Sequence, residues 1–374
     1  MAIAILIYFT FAFNQITIRG NVNRIRPRFK DASRPGIAGD EDKPAIAIKR
    51  EIMRKALLFC SLFTFACLIG GPADAAKSHS ESGVESRNCF DATDRRDIRL
   101  WDGPAPGAIG DDPCRDIPYL RVFPAEGAKD GTTAAILVVP GGGYDRLTNT
   151  KEQDPVGNYF AKDLHAATFV LYYRLVQADG SYRYPVPMWD GQRALKLIRA
   201  RAHELGIDPN RIGAFGFSAG GHLATTLAEH SSSDFELTKH DAIDALSGRL
   251  DFLGLGYPVI SMEPDQFGKT ASHDHLLEGY HGHELDKLEH YLSGQDNVAP
   301  HTPPVFLFVS MDDRRIDPQN SVLLSQALKS AGISSDVHLF AHGAHGVGLA
   351  QDVPDEQVWP DLFQKWLKSQ RVID

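Results

Sequence analysis

The stretch GAFGFSAGGH at residues 213–222 places a serine among four glycines, directly after an apolar run. Within it, GFSAG at 216–220 has the G-x-S-x-G form. Neither a good strand nor a good helix tolerates so many glycines, because glycine loses more backbone freedom on ordering than any other residue. The pattern suits a sharp strand-to-helix reversal with Ser218 at its apex, strained so that the hydroxyl stands exposed as a nucleophile. Gly216 and Gly220 leave room for the neighbouring strand and helix, and Gly221 lets the helix approach the sheet. The bland alternative is a glycine-rich turn with a capping serine, and the strand pattern before it and helix pattern after it weigh against that.

Three further loops carry groups that such a serine needs. PGGGY at 140–144 follows a buried apolar run, and successive glycines let backbone N–H groups turn inward. The amides of Gly142 or Gly143, with that of Ala219, would form an oxyanion hole. A phosphate loop is a weaker reading, since no G-K-[ST] follows and Asp145 would repel the anion. After PVFLFVS stands MDDRRID, where either Asp312 or Asp313 can supply the acid; Ile316, folding back on the core, favours Asp313. After DVHLF comes AHGAHGVG, where Gly343 and Gly346 flank His345 as the base, with His342 nearer the strand end as its alternative. His338 lies inside the strand pattern and reads as structural. The order of nucleophile, acid and base along the chain is that of strand-borne serine hydrolases.

The elements that must position these loops alternate. YLRVF at 119–123 reads as a half-exposed strand, while AAILVV at 134–139 and ATFVLYY at 167–173 read as strands buried on both faces. Further runs stand at 211–217, 250–257, 304–310 and 336–340. Between them, residues 189–206 repeat apolar positions at helical spacing and stop at Gly206, and a second helix runs from Ser321 as its cap to Gly332. DLFQKWLKSQ closes the chain as a third. The reading is an α/β fold, a mostly parallel central sheet with helices on both faces and ligands at the carboxyl ends of its strands.

LVVPGGGY, FVLYYRL, GIDPNRIGAFGFSAGGHLA, TPPVFLFVSMDD and HGAHGVGLA resemble the α/β-hydrolase superfamily, and within it the secreted esterases related to acetyl xylan esterase and bacterial feruloyl esterase. The resemblance runs from about residue 98 to residue 367. It implies the α/β-hydrolase fold with Ser218 as nucleophile, Asp313 as acid and His345 as base. Two departures stand out: Pro140 replaces the histidine that the lipase-like branch has before its glycines, and SMDDRRID is more charged than usual. The implied activity is hydrolysis of short-chain acyl, chiefly acetyl, esters on a small molecule or a plant-type carbohydrate such as xylan, with no metal or organic cofactor. Tyr144, Tyr173 and Trp189 near strand ends are candidates to stack on sugar rings, although such aromatics are more often core. His222, one helical turn after Ser218, reads as a packed or hydrogen-bonded neighbour. The cluster SHDHLLEGYHGHELDKLEH, with His273, His275, His281, His283 and His290, lacks a strict metal-ligand spacing and reads as a polar loop over the cleft. A prolyl-oligopeptidase-like peptidase shares the triad but needs a propeller for which the lead-in is too short. A noncatalytic binding protein of the same fold would have no use for an intact triad.

Composition and address complete the picture. With 43% hydrophobic and 23% charged residues, the 374-residue chain suits one catalytic domain, and a net charge of −9 argues against DNA or RNA as partner. From Met53, the basic Arg54 and Lys55, the apolar run Ala56 to Gly70 and Ala73-Asp74-Ala75 resemble a bacterial signal peptide, too short for a stable membrane span. Residues 53–75 are therefore expected to be removed and the protein to be periplasmic or secreted. The start is then either Met53, with residues 1–52 a misassigned extension, or Met1, with the short apolar run at 1–13 as a membrane anchor. The anchor ranks second because no charge precedes that run. Residues 76–95 read as a flexible lead-in and 96–374 as the catalytic domain. Cys60 and Cys67 fall within the signal, leaving Cys89 and Cys114, which an oxidising compartment would favour as a disulfide, with two independent buried thiols as the alternative.

Overall fold

The apolar runs become strands of one eight-stranded sheet in a computed structural model that describes residues 88–127, 132–148 and 151–374. The expected extension, the signal peptide and residues 76–87 of the lead-in lie outside the described residues. The strands are β1 (Asp97–Arg99), β2 (Tyr119–Phe123), β3 (Thr133–Val139), β4 (Ala167–Tyr172), β5 (Ile207–Phe217), β6 (Leu253–Gly256), β7 (Val305–Ser310) and β8 (Ser335–Phe340). Their order is β1-β2-β4-β3-β5-β6-β7-β8. From β4 to β8 all neighbours pair in parallel, whereas β2 runs antiparallel to both β1 and β4. Every residue of β4 and β7 is buried, as covering by helices on both faces demands, while the edge strand β8 is largely exposed.

The helices are α1 (Asp154–Asp163), α2 (Val186–Ala200), α3 (Ala219–Glu229), α4 (Ala271–Leu277), α5 (Gly282–Tyr291), α6 (Gly294–Asn297), α7 (Gln319–Ala331) and α8 (Trp359–Ser369). Alternation along β5 assigns its two faces. Phe215 meets Phe160 of α1 and Trp359 and Phe363 of α8, with ring centroids 5.5, 5.0 and 4.9 Å away. Gly216 instead faces α3, and α2 packs on α3 where Gly191 meets Leu227. No helix among the described residues is long and apolar enough to cross a membrane.

Three sequence expectations need correction here. The helix expected over 189–206 starts earlier, at Val186, and ends at Ala200; residues 201–206 are turns that feed β5, with Gly206 at φ +65° and the Ile207 N–H bonded to Ala202 O. Ser321 is not a cap but a buried residue inside α7, whose first amides are served instead by the carbonyls of Asp317 and Pro318 and by the Asp317 side chain, which accepts the Gln319 N–H. Residues 88–95 are not a loose lead-in: Cys89 is disulfide-bonded to Cys114, and Phe90 packs edge-on against Tyr119.

Candidate active site

Ser218 is the single residue between β5 and α3, at φ 52° and ψ −121°. Such a conformation costs a non-glycine residue roughly 1–3 kcal/mol and persists only where its surroundings enforce it. They do so through the backbone: Ser218 N–H donates to Gly256 O at 3.1 Å, and Ser218 O accepts from Val259 N–H at 3.0 Å. The flanking glycines are a steric necessity. A Cβ on Gly220 would lie 2.1 Å from Val139 O, and one on Gly216 2.4 Å from Gly220 O.

The loops after β7 and β8 bring two further groups to this hydroxyl. His345 Nε2 is 2.8 Å from Ser218 Oγ, and His345 Nδ1 is 2.7 Å from Asp313 Oδ2. A carboxylate can only accept, so Nδ1 carries the proton and Nε2 presents a lone pair to the serine. Burial would raise the Asp313 carboxyl, but the His345 hydrogen bond and charge and the amides of Arg315 and Ile316 outweigh it and hold the group below its ordinary value. The neighbouring Asp312 points elsewhere, accepting the Gly343 N–H at 2.9 Å and so anchoring the histidine loop. His342 is exposed beside Asp312, and His338 lies on β8. Of the alternatives in sequence, the structure joins Asp313 and His345 to Ser218 and leaves the others outside.

Gly142 and Gly143 border the same cleft as Ser218, at φ +128° and +69°. Their amides, and that of Ala219 at the start of α3, donate to no other described residue. Gly141 N–H is taken: it donates to Glu152 Oε2 at 2.8 Å. Tyr173 lies beneath the loop and donates its hydroxyl to Pro140 O at 3.0 Å. Glu152 was not singled out by its sequence context, TKEQDP, which carries no motif.

None of the three aromatics named as stacking candidates, Tyr144, Tyr173 and Trp189, lines the cleft; they take the core alternative. Tyr144 follows the glycines at φ +70°, which turns its side chain inward; it is fully buried, with its hydroxyl 2.6 Å from His222 Nδ1. Trp189 sits on α2 and donates its Nε1 proton to Phe235 O at 2.9 Å. The cleft, about 270 Å³, is bordered instead by polar groups, among them Asp145, Arg146, Thr148, Ser272 and Arg315. His222 is buried, and burial lowers its imidazole to about 4. Leu292 O can only accept, so Nε2 donates to it at 2.8 Å and Nδ1 accepts the Tyr144 hydroxyl proton.

The histidine-rich segment is not a loop but two helices, α4 and α5, joined by a turn. From α4, His275 Nδ1 donates to Gly143 O at 2.7 Å, bracing the glycine loop from above. His273 contacts Glu289 at 2.8 Å, His290 lies between Glu263 and Asp296, and His281 and His283 stand at the start of α5.

The sequence profile of the BD-FAE family matches residues 122–328, more than half of the chain. The chain is 32% identical over 238 residues to an acetylxylan esterase of Xylanibacter ruminicola, a match covering 63% of this chain and 45% of that protein. It is 30% identical over 217 residues to endo-1,4-beta-xylanase B of Butyrivibrio fibrisolvens, covering 58% of this chain and 33% of that protein. The chain thus spans less than half the length of these curated relatives. Among solved structures, an acetyl ester-xyloside bifunctional hydrolase from Caldicellulosiruptor lactoaceticus superposes with a TM-score of 0.66 at 34% identity, covering 74% of this chain and 97% of that one. The carboxylesterase Cest-2923 from Lactobacillus plantarum, at 23% identity and a TM-score of 0.59, shares the fold.

Proposed function

The chain belongs to the BD-FAE family of α/β-hydrolases, and from that membership we propose that it is a serine carboxylic-ester hydrolase releasing acetyl or other short acyl groups from carbohydrate esters such as acetylated xylan. The observation that carries this reading is the unbroken relay from Ser218 Oγ through His345 to Asp313, at 2.8 and 2.7 Å. The names of the relatives support the acyl group and the sugar. The polar groups that border the cleft support recognition of a carbohydrate by hydrogen bonds and not by stacking on Tyr144, Tyr173 or Trp189.

In the proposed reaction Ser218 Oγ attacks the ester carbonyl carbon while His345 Nε2 takes its proton. Asp313 stabilises the imidazolium through the Nδ1–H it already accepts. The carbonyl oxygen becomes an oxyanion facing the amides of Gly142, Gly143 and Ala219, each donor being worth about a hundredfold to a thousandfold in rate. Collapse breaks the bond to the alcohol, which leaves with the proton from His345. Water then attacks the acyl-serine, giving its proton to the same nitrogen, and the acid departs as Ser218 recovers its own.

The reaction takes place outside the cytoplasm, a reading supported by the signal-like residues 53–75 and by the Cys89–Cys114 disulfide, since such bonds persist in oxidising compartments. Acetate release from acetylated xylan by wild type and Ser218→Ala tests the activity: the wild type should release acetate and the variant only background. Equal release by both proteins would end the catalytic assignment, and a wild type that prefers long acyl chains would replace the acetylesterase reading with a lipase.

A further inference from the structure

One carboxyl group beside the cleft has no part in the acyl-transfer steps. Glu152 is 1% exposed, yet it borders the cavity that holds Ser218 and His345. Its Oε2 accepts the Gly141 N–H at 2.8 Å and its Oε1 accepts the Tyr257 O–H at 2.9 Å. The Tyr257 oxygen in turn accepts the Gly348 N–H at 3.0 Å. A continuous chain of hydrogen bonds therefore runs from the glycine loop to the loop that carries His345. Tyr257 also sets its ring edge-to-face on the His345 imidazole, with centroids 4.9 Å apart.

Both loops need such a restraint. Three successive glycines are the least ordered backbone available, and oxyanion donors lower a barrier only if they are aimed before the charge develops. Holding the Gly141 N–H orients the peptide immediately before the Gly142 amide. Gly141 lies between the carboxyl group and the nucleophile, since a Cβ there would be 2.8 Å from Ser218 Cβ and 3.1 Å from Glu152 Oε2. On the other side Gly348 abuts the chain next to Glu152, where a Cβ would lie 2.3 Å from Lys151 O.

We propose that Glu152 is a positioning residue that, through Gly141 and Tyr257, holds the oxyanion loop and the histidine loop in register around Ser218. This rests on the serine-hydrolase reading and adds the group that preorganises its two halves. The test is the second-order rate constant for labelling of Ser218 by a fluorophosphonate, measured on the full chain for wild type, Glu152→Gln, Tyr257→Phe and the double variant. Glutamine keeps the Gly141 bond through its carbonyl but turns an amide N–H toward Tyr257. Phenylalanine cuts the same link and keeps the ring on His345. Each single variant should label about tenfold more slowly or worse, and the double variant little slower than the slower single one, because all interrupt one chain. With 4-nitrophenyl acetate the loss should fall on kcat, with KM held within about twofold.

A role in stability alone would lower the melting temperature and leave the labelling constant of the folded variants within about twofold of wild type, and that result overturns the proposal. Should Glu152→Gln not fold, Tyr257→Phe decides by the same criterion. A wild type that takes up no probe defeats the hydrolase reading and this inference with it. A labelled wild type with equally labelled variants defeats only the role of Glu152.

Discussion

Asp312 and Asp313 are adjacent, both carboxylates, and both within reach of the histidine loop, yet they hold different things. Asp313 grips the imidazole itself, whereas Asp312 grips the backbone of Gly343. Asp313→Asn should therefore leave the wrong tautomer facing Ser218 and lower kcat by about 10⁴. Asp312→Asn should cost about tenfold or less, by loosening the loop. Steady-state kinetics of the two variants on one acetyl ester checks this, and equal losses would contradict it. At this scale the glycine-flanked Ser218 and His345 were legible in the sequence, because sterics around a tight strand-to-helix apex leave a pattern; Ser218 itself is buried, not exposed. The choice between the aspartates rested on Ile316, whose amide donates to Asp313 Oδ1 at 3.1 Å. Tyr144, a candidate either for stacking or for the core, went to the core because a positive φ reverses the direction in which a side chain leaves the backbone. Glu152 was invisible, since a lone acid gains its meaning only from partners distant in sequence.

Elements are joined at the site by side chains that do no chemistry. His222 ties α3 to the end of α5 through Leu292 O and to the glycine loop through Tyr144. Burial holds its imidazole at about 4, with the neighbouring His230 adding a smaller push in the same direction. An unfolded histidine titrates near 6.5, so between about pH 6.5 and 4 the unfolded chain binds a proton that the folded chain does not. Stability from this group is thus complete above that window and is lost as pH falls through it. The difference in unfolding free energy between wild type and His222→Gln should shrink from about pH 7 to about pH 4, and a constant difference in denaturant titrations would contradict this. Strand positions were largely legible from continuous apolar runs. The end of α2 was not, because helical periodicity persists into turns that the sheet forces on the chain. The histidine-rich stretch hid α4 and α5 because its charge masks their apolar positions, Leu276 and Leu277 among them, which are buried.

Across the whole molecule the sheet order explains why four distant loops meet. β3, β5, β7 and β8 run parallel, so the loops that follow them emerge at one end and carry Gly141–Gly143, Ser218, Asp313 and His345. Alternating strand and helix patterns made this architecture legible; the antiparallel run of β2 left no mark in its residues. The Cys89–Cys114 bridge closes a 25-residue separation at the β1 side. It should stabilise the fold by about 2–4 kcal/mol. Protein recovered from periplasm or medium should resist thiol alkylation until reduced and then unfold at lower denaturant. Free alkylation of Cys89 or Cys114 in that material would contradict the bridge.

The central claim is that a covalent acyl-enzyme forms on Ser218 at the meeting point of these loops. Rapid acid quenching after mixing with 4-nitrophenyl acetate, followed by mass spectrometry of the digested protein, observes that species directly. An acetyl group on the peptide containing Ser218, lost in Ser218→Ala and trapped less in His345→Ala, is the expected result. Turnover that proceeds at the wild-type rate in Ser218→Ala, or an acetyl group carried by a different residue, would contradict the account.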